Sequence, residues 1–389
     1  MPQTYSPFSR PLYVMLKPVG AHCNLACRYC YYLDKAQLYT DEPRHVLSEE
    51  LLEQFTREYI QSQTLGDVLF TWHGGETFMR PLSFFQRALE LQRKYAGGRN
   101  ISNCIQTNGT LITPEWAQFL HDNQWLVGVS IDGPQEFHDE YRRSRQGKPT
   151  WAKVRHGIDL LNKYQVEWNA MAVVNDYNAD YPLDFYRFFR DELQCRYLQF
   201  TPIVEPLPGG EGVTAESVTD DQWGEFLCQI FDEWVRHDVG QQFVQLFDAT
   251  LANWVGVEPG LCSMARECGH AGVMEFNGDV YSCDHFVFPQ YRLGNIRHTG
   301  LSEMMYSPRQ LQFGRQKHEA LPGQCRRCPW LHLCNGECPK NRLLTTADGE
   351  PGLNYLCRGY SRFFQHSAPA MQRMRDLYNE GKPCSDIML

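Results

Sequence analysis

Six short apolar or β-branched runs punctuate the first 240 residues, at 12–16, 68–72, 101–106, 126–131, 168–174 and 197–201. Their composition and length predict strands. Each is followed by a loop and then a stretch with helical spacing, most clearly 48–61, 81–95, 114–123, 151–164 and 180–192. Ser48 stands as an N-cap before an acidic first turn. Six β-α units in succession imply an α/β fold, with a parallel sheet covered by helices and closed or partly closed into a (β/α)6 barrel. Right-handed crossovers leave few other topologies.

The pattern breaks at 206–219, PLPGGEGVTAESVT, which reads as a surface loop or insertion. A helical stretch at 220–238 leads into a cysteine-rich region, 261–360. There, strands at 272–276 and 280–282 flank Asn277-Gly278-Asp279, a strong hairpin signal. With little room for a hydrophobic core, this region is expected to be organised by metals. The predicted division is a barrel over 1–240, a cysteine-rich domain over 241–365 and a tail over 366–389. Two domains suit a chain of 389 residues.

Composition narrows the class. Apolar residues are 42% and charged residues 21%, as in a globular protein and unlike a disordered one. A net charge of -9 argues against a general nucleic-acid binder. No apolar stretch is long enough to span a bilayer, so no membrane is expected. The N-terminus MPQTYSPFSRPLYVM lacks the parts of a secretory signal, which predicts a cytoplasmic protein. In that setting fifteen cysteines read as metal ligands and not as a disulfide framework.

Cys23, Cys27 and Cys30 form a Cys-x3-Cys-x2-Cys run directly after the first strand, where parallel-sheet enzymes keep their active sites. Three thiolates hold three corners of a 4Fe-4S cluster and leave one iron open. Zinc, with His22 as fourth ligand, is the competing reading of this run alone. The next three loops carry His73-Gly74-Gly75-Glu76, Thr107-Asn108-Gly109 and Ser130-Ile131-Asp132-Gly133. Gly74 and Gly75 permit close backbone approach to a ligand, and Ser130 and Asp132 are placed to bond a ribose or an amino-acid head. The alternative for each is an ordinary turn.

With its aromatic before the third cysteine and Gly-Gly-Glu on the second strand, the barrel resembles the radical S-adenosylmethionine (SAM) superfamily. The resemblance implies that SAM chelates the open iron and, on reduction, yields a 5'-deoxyadenosyl radical that abstracts hydrogen from substrate. It places Tyr29 at the adenine, Gly74 and its neighbour Gly75 at the methionine amino group, Ser130 and Arg142 at the ribose and carboxylate, and Ile203 at the adenine edge, while Glu76 and Asp132 stand as cofactor-binding candidates from the same loops. Cys325-x2-Cys328-x5-Cys334-x3-Cys338 followed by Cys357 resembles a SPASM domain with two auxiliary 4Fe-4S clusters. With Cys262-x5-Cys268 and Cys283, the set is similar to the anaerobic sulfatase-maturating enzymes. The implied ligands are Cys262, Cys268, Cys283 and Cys338 for one auxiliary cluster, and Cys325, Cys328, Cys334 and Cys357 for the other.

That family oxidises a Cys or Ser of an unfolded sulfatase polypeptide to Cα-formylglycine. The resemblance implies Asp284 as catalytic base, Tyr32 and His73 as substrate contacts, and a low-potential donor such as flavodoxin or ferredoxin. His73 stands where many relatives carry Gln, and Thr77 where many carry Pro, which leaves the substrate hydrogen bonding and the Ser/Cys preference open. The rival enzyme reading is another SPASM peptide maturase that forms crosslinks. About a dozen residues precede the first strand, too few for the peptide-recognition domain such enzymes often carry. A cysteine-rich zinc scaffold would leave the six β-α units unexplained.

Overall fold

The computed structural model describes residues 11–42, 45–210 and 212–389; the first ten residues of the segment read for a signal lie outside them. The described residues hold twelve strands, of which the first ten are β1 Tyr13–Leu16, β2 Asp67–Trp72, β3 Asn100–Thr107, β4 Leu126–Ser130, β5 Trp168–Val174, β6 Tyr197–Pro202, β7 Phe243–Val244, β8 Ala271–Met274, β9 Asp279–Tyr281 and β10 Arg292–Asn295. The chain forms two compact units, one from residues up to 129 with 142–168 and 269–314, the other from 130–141, 169–268 and 315–389.

In the first unit β1 to β4 pair in parallel in sequence order. The free edge of β1 is taken by β8, also parallel, and β9 and β10 continue antiparallel from it. Gly278, at φ +92°, turns the Asn-Gly hairpin between β8 and β9. The hairpin therefore does not depend on metals alone. Val273, Tyr281 and Val287 pack with Ala21 and Tyr32 in one apolar cluster, because a strand laid on β1 shares the core that β1 already has.

The register sets the chemistry that follows. Leu16 pairs with both Trp72 and Met274, so the carboxyl-terminal ends of β1, β2 and β8 lie in a row, while β3 runs two residues past Ile105, the partner of Trp72. The residues just beyond the three ends, Lys17, His73 and Glu275, emerge along that edge. Behind it, Trp72 stacks on Trp125 at 6.1 Å between ring centroids. Both are fully buried, and side chains of this size each contribute about 1.5–3 kcal/mol. Helix Glu49–Gln61 covers the sheet with Leu52, Phe55 and Ile60, and Ser48 caps it by accepting from Leu51 N at 3.2 Å.

In the second unit β5, β6 and β7 are parallel. The helix expected over 180–192 is instead broken into a turn at Asn178–Asp180, a helix at Pro182–Arg187 and a wide turn at Phe188–Glu192. Pro182 has no N–H to continue a helix and disfavours helical backbone at Tyr181, which sits at φ -125°, ψ 55°. Helix Asp220–His237 opens with a reciprocal Thr219–Gln222 capping box. It packs closely on Cys357–Asn379, a long helix that the sequence reading did not delineate. A Cβ on Gly359 would lie 2.3 Å from the Asp220 carbonyl oxygen, so that crossing requires glycine. Among the described residues, no helix is long and apolar enough to cross a membrane.

Candidate active site

Cys23, Cys27 and Cys30 lie on the loop after β1, partly exposed and outside any disulfide. The loops after β2 and β3 hold that loop in place. Gly75 N donates to Gly20 O at 2.7 Å and Glu76 N to His22 O at 2.8 Å. A Cβ on Gly75 would stand 1.9 Å from His22 O, so its bareness serves the backbone of the cysteine loop. Glu76 is fully buried and accepts from Thr107 Oγ1 (2.8 Å), Asn108 N (2.7 Å) and Phe78 N (2.9 Å). Burial raises its pKa and these bonds counter the rise. Its carboxylate thus ties the second loop to the third.

Asn108 closes the frame. Its Nδ2 donates to Asn24 Oδ1 at 2.8 Å and to Cys23 Sγ at 3.6 Å, and Leu25 N reaches the same sulfur at 3.3 Å. Three thiols on one short loop, with N–H donors aimed at a sulfur, are the donor set and outer shell that an iron-sulfur cluster needs. Beside the loop, Arg142 Nη1 donates to Tyr29 Oη at 2.8 Å, joining two of the residues expected around SAM.

At the edge formed by β1, β2 and β8, Lys17 is fully buried and ion-paired with Asp284, whose side chain is 17% exposed and so remains reachable. The Lys17 ammonium also stands 3.2 Å from the Tyr32 ring centroid. Tyr31 donates to Asp284 and Tyr32 to Glu275. Burial pulls the Asp284 pKa upward, but Lys17, His73 and His285 outweigh it and hold the carboxyl well below its usual range. Burial pushes Glu275 up to about 7, against the pull of Lys17 and Tyr32. Burial likewise lowers His73 to about 4, with Asp284 opposing, and His73 Nδ1 accepts from Gly74 N at 2.7 Å. The result is an ionised, accessible carboxylate beside a neutral imidazole.

In the second unit Ser130 ends β4 half-buried. Asp132 is buried and accepts from Val173 N at 3.0 Å. Ile203 is buried, with its N–H on Val174 O at 2.9 Å. Seven of the cysteines of this unit fall into two electrostatic groups. Cys357 interacts with Cys325 and Cys328, and Cys334 with Cys357 and Cys325. Cys262, Cys268 and Cys338 face the buried ammonium of Lys317. Lys317 donates to Cys262 O and Ser263 O, both at 2.7 Å, and to Ala265 O. Lys317→Met should orphan three carbonyls in this loop and cost about 2–5 kcal/mol, read as a lower thermal midpoint of the full-length protein.

No sequence motif assigns a role to Lys17, Tyr31, Glu275, Asn108 or Lys317. A signal existed for Lys17, a charge set directly on the apolar run of β1. Glu275 had a weaker one, a carboxylate between a strand and its Asn-Gly turn.

Residues 18–189 match the radical SAM superfamily and residues 266–329 an iron-sulfur cluster-binding SPASM domain. The chain is 64% identical to the serine-type anaerobic sulfatase-maturating enzyme of Bacteroides thetaiotaomicron, over 98% of this chain and 96% of that one. It is 33% identical to the cysteine-type enzyme of Clostridium perfringens, over 93% and 97%. A solved structure of native anSMEcpe with bound AdoMet and Cp18Cys peptide matches with a TM-score of 0.85 at 31% identity, covering 94% of this chain and 99% of that one. Fold and site thus define a class, radical SAM α/β enzymes with a C-terminal SPASM domain. Within it, the chain belongs to the anaerobic sulfatase-maturating enzymes. It is an oxidoreductase that uses SAM and 4Fe-4S clusters to convert a sulfatase Cys or Ser to Cα-formylglycine.

Proposed function

We propose that this enzyme acts on a serine, in an unfolded sulfatase polypeptide, and that Asp284 takes the hydroxyl proton. The observation that carries the reading is the Lys17–Asp284 pair at the strand edge, and 64% identity to a serine-type enzyme supports the substrate. Going from CH2OH to CHO removes one hydrogen atom and one electron from carbon and one proton from oxygen. When bound and reduced, SAM on its cluster supplies the 5'-deoxyadenosyl radical that takes the hydrogen atom. Asp284 is held ionised and so is ready to accept the proton. Tyr31 fixes the orientation of its carboxylate, and Tyr32 and His73 line the substrate side. A hydroxyl releases its proton far less readily than a thiol, so serine makes the greater demand on this base.

Cys23, Cys27 and Cys30 would hold the cluster that binds SAM. Tyr29, Gly74, Gly75, Ser130, Asp132, Arg142 and Ile203 would surround SAM, with Glu76 acting by positioning its loop. The auxiliary clusters would take Cys262, Cys268, Cys283 and Cys338, and Cys325, Cys328, Cys334 and Cys357. The two electrostatic groups of cysteines support these sets. Both auxiliary clusters, fully ligated by protein, would carry the surplus electron away. The proposed division is a barrel domain over 1–240, a SPASM domain over 241–365 and a tail over 366–389, in a cytoplasmic enzyme reduced by flavodoxin or ferredoxin.

The test is anaerobic incubation of the reduced, cluster-reconstituted protein with SAM and matched Ser and Cys peptides of a sulfatase-type motif. The Ser peptide is expected to lose about 2 Da, and any converted Cys peptide about 18 Da. A Ser peptide left unchanged beside a converted Cys peptide would overturn the serine assignment.

A further inference from the structure

The hairpin over residues 143–149 forms a basic surface on an acidic protein. Residues 142–158 hold six Lys and Arg and no Asp or Glu, in a chain of net charge -9. Arg145 and Lys148 on the hairpin and Lys153 just after it are exposed. Among the described residues none of the three pairs with a carboxylate, whereas Arg155 is neutralised by Asp159 at 3.0 Å. Arg145, Lys148 and Lys153 line one cleft of about 440 Å³ with Asn24 and Thr110.

The hairpin is fastened to the loop that carries the first three cysteines. Ala26 N donates to Arg143 O at 2.8 Å, Leu25 and Ser144 form an antiparallel bridge, and Arg145 Nε donates to Cys23 O at 2.6 Å. A charged partner seated here would stand over the segment between Cys23 and Cys27. A cationic peptide would be repelled from this face, since the cleft offers unpaired cations with no carboxylate to receive it.

We infer that the basic hairpin is the docking surface for a small acidic one-electron carrier protein, which delivers its electron to the cluster held by Cys23, Cys27 and Cys30. This rests on the assignment of those cysteines made above. One electron leaves the reduced centre of the carrier and enters the oxidised cluster, and no bond is made or broken in the protein. Complementary charge would speed the encounter and set its orientation, with an effect that fades as salt rises.

The experiment compares the wild-type holoenzyme with Lys148→Glu/Lys153→Glu, using reduced flavodoxin as probe. Neither lysine touches the cysteine loop in the way Arg145 does. The expected result is at least tenfold weaker flavodoxin binding at low salt and a flattened salt dependence. Flavodoxin-driven formation of 5'-deoxyadenosine should slow in parallel, while the dithionite-driven rate stays unchanged. Equal affinity and equal salt slope in both proteins would overturn the inference. Should the double reversal also lower the dithionite-driven rate, Lys148→Ala/Lys153→Ala decides by the binding measurement alone, where unchanged affinity again counts against it. Flavodoxin binding does not depend on which peptide is oxidised, so failure here is distinct from failure of the serine assignment.

Discussion

Asp284→Asn is expected to cut aldehyde formation from a serine peptide by about 10²–10⁴-fold, the usual contribution of a positioned general base, while SAM cleavage continues. The amide keeps the shape of the carboxylate and can still accept from Tyr31, but it cannot take a proton. Hydrogen abstraction precedes the step that needs the base, so 5'-deoxyadenosine should accumulate without matching product. A thiol ionises far more readily than a hydroxyl, so the defect should be smaller on a Cys peptide. Quantifying 5'-deoxyadenosine and aldehyde in the same reaction checks both points. A variant that keeps the two in wild-type proportion on serine would remove Asp284 from the mechanism.

Lys17→Met should be nearly as damaging, and through a different property. Methionine fills much of the lysine stem's space but leaves the partly exposed Asp284 without its cation. Breaking a fully buried pair costs about 3–5 kcal/mol, and the exposure of Asp284 lowers that cost here. In the wild type the folded pKa of Asp284 lies below that of the unfolded chain. Its stabilisation is therefore complete above about pH 4, the unfolded carboxylate value, and is lost only as pH falls through the lower folded value. Lys17 is the largest influence holding the carboxyl down, and without it burial pushes the pKa upward. The acid limb of the pH–rate profile should then move to higher pH, with activity partly recovered at alkaline pH. A merely structural lysine would lower the melting temperature and leave the profile in place. An unmoved acid limb would therefore refute the electrostatic role of Lys17.

The positions of β1 to β6, β8 and β9 were legible within one or two residues, because each is a short apolar run bounded by loop residues, whereas the two-residue β7 and the Arg292–Asn295 strand β10 carry no such run. The helix ends at Ser48 and Thr219 follow from side chains adjacent to the backbone they cap. The stretch over 180–192 failed on Pro182, a local steric rule outvoted by apolar spacing. The cysteine runs were readable as motifs because ligands that share a loop must be close in sequence.

The rest of the site could not be read from sequence. Lys17, His73, Glu275 and Asp284 come from four separate segments spread over more than half the chain; strand register aligns the ends that precede Lys17, His73 and Glu275, and the turn after the antiparallel β9 brings Asp284 to Lys17. Glu76 looked like a ligand-binding residue, yet its buried bonds to Thr107, Asn108 and Phe78 hold two loops together. The spacing of β-α units and cysteines by itself determined the kind of fold and the cluster chemistry, since both follow from local pattern and ligand geometry. The tertiary structure alone decided which carboxylate stays ionised and which cation holds it there, because that depends on burial and on charges brought together across distant strands.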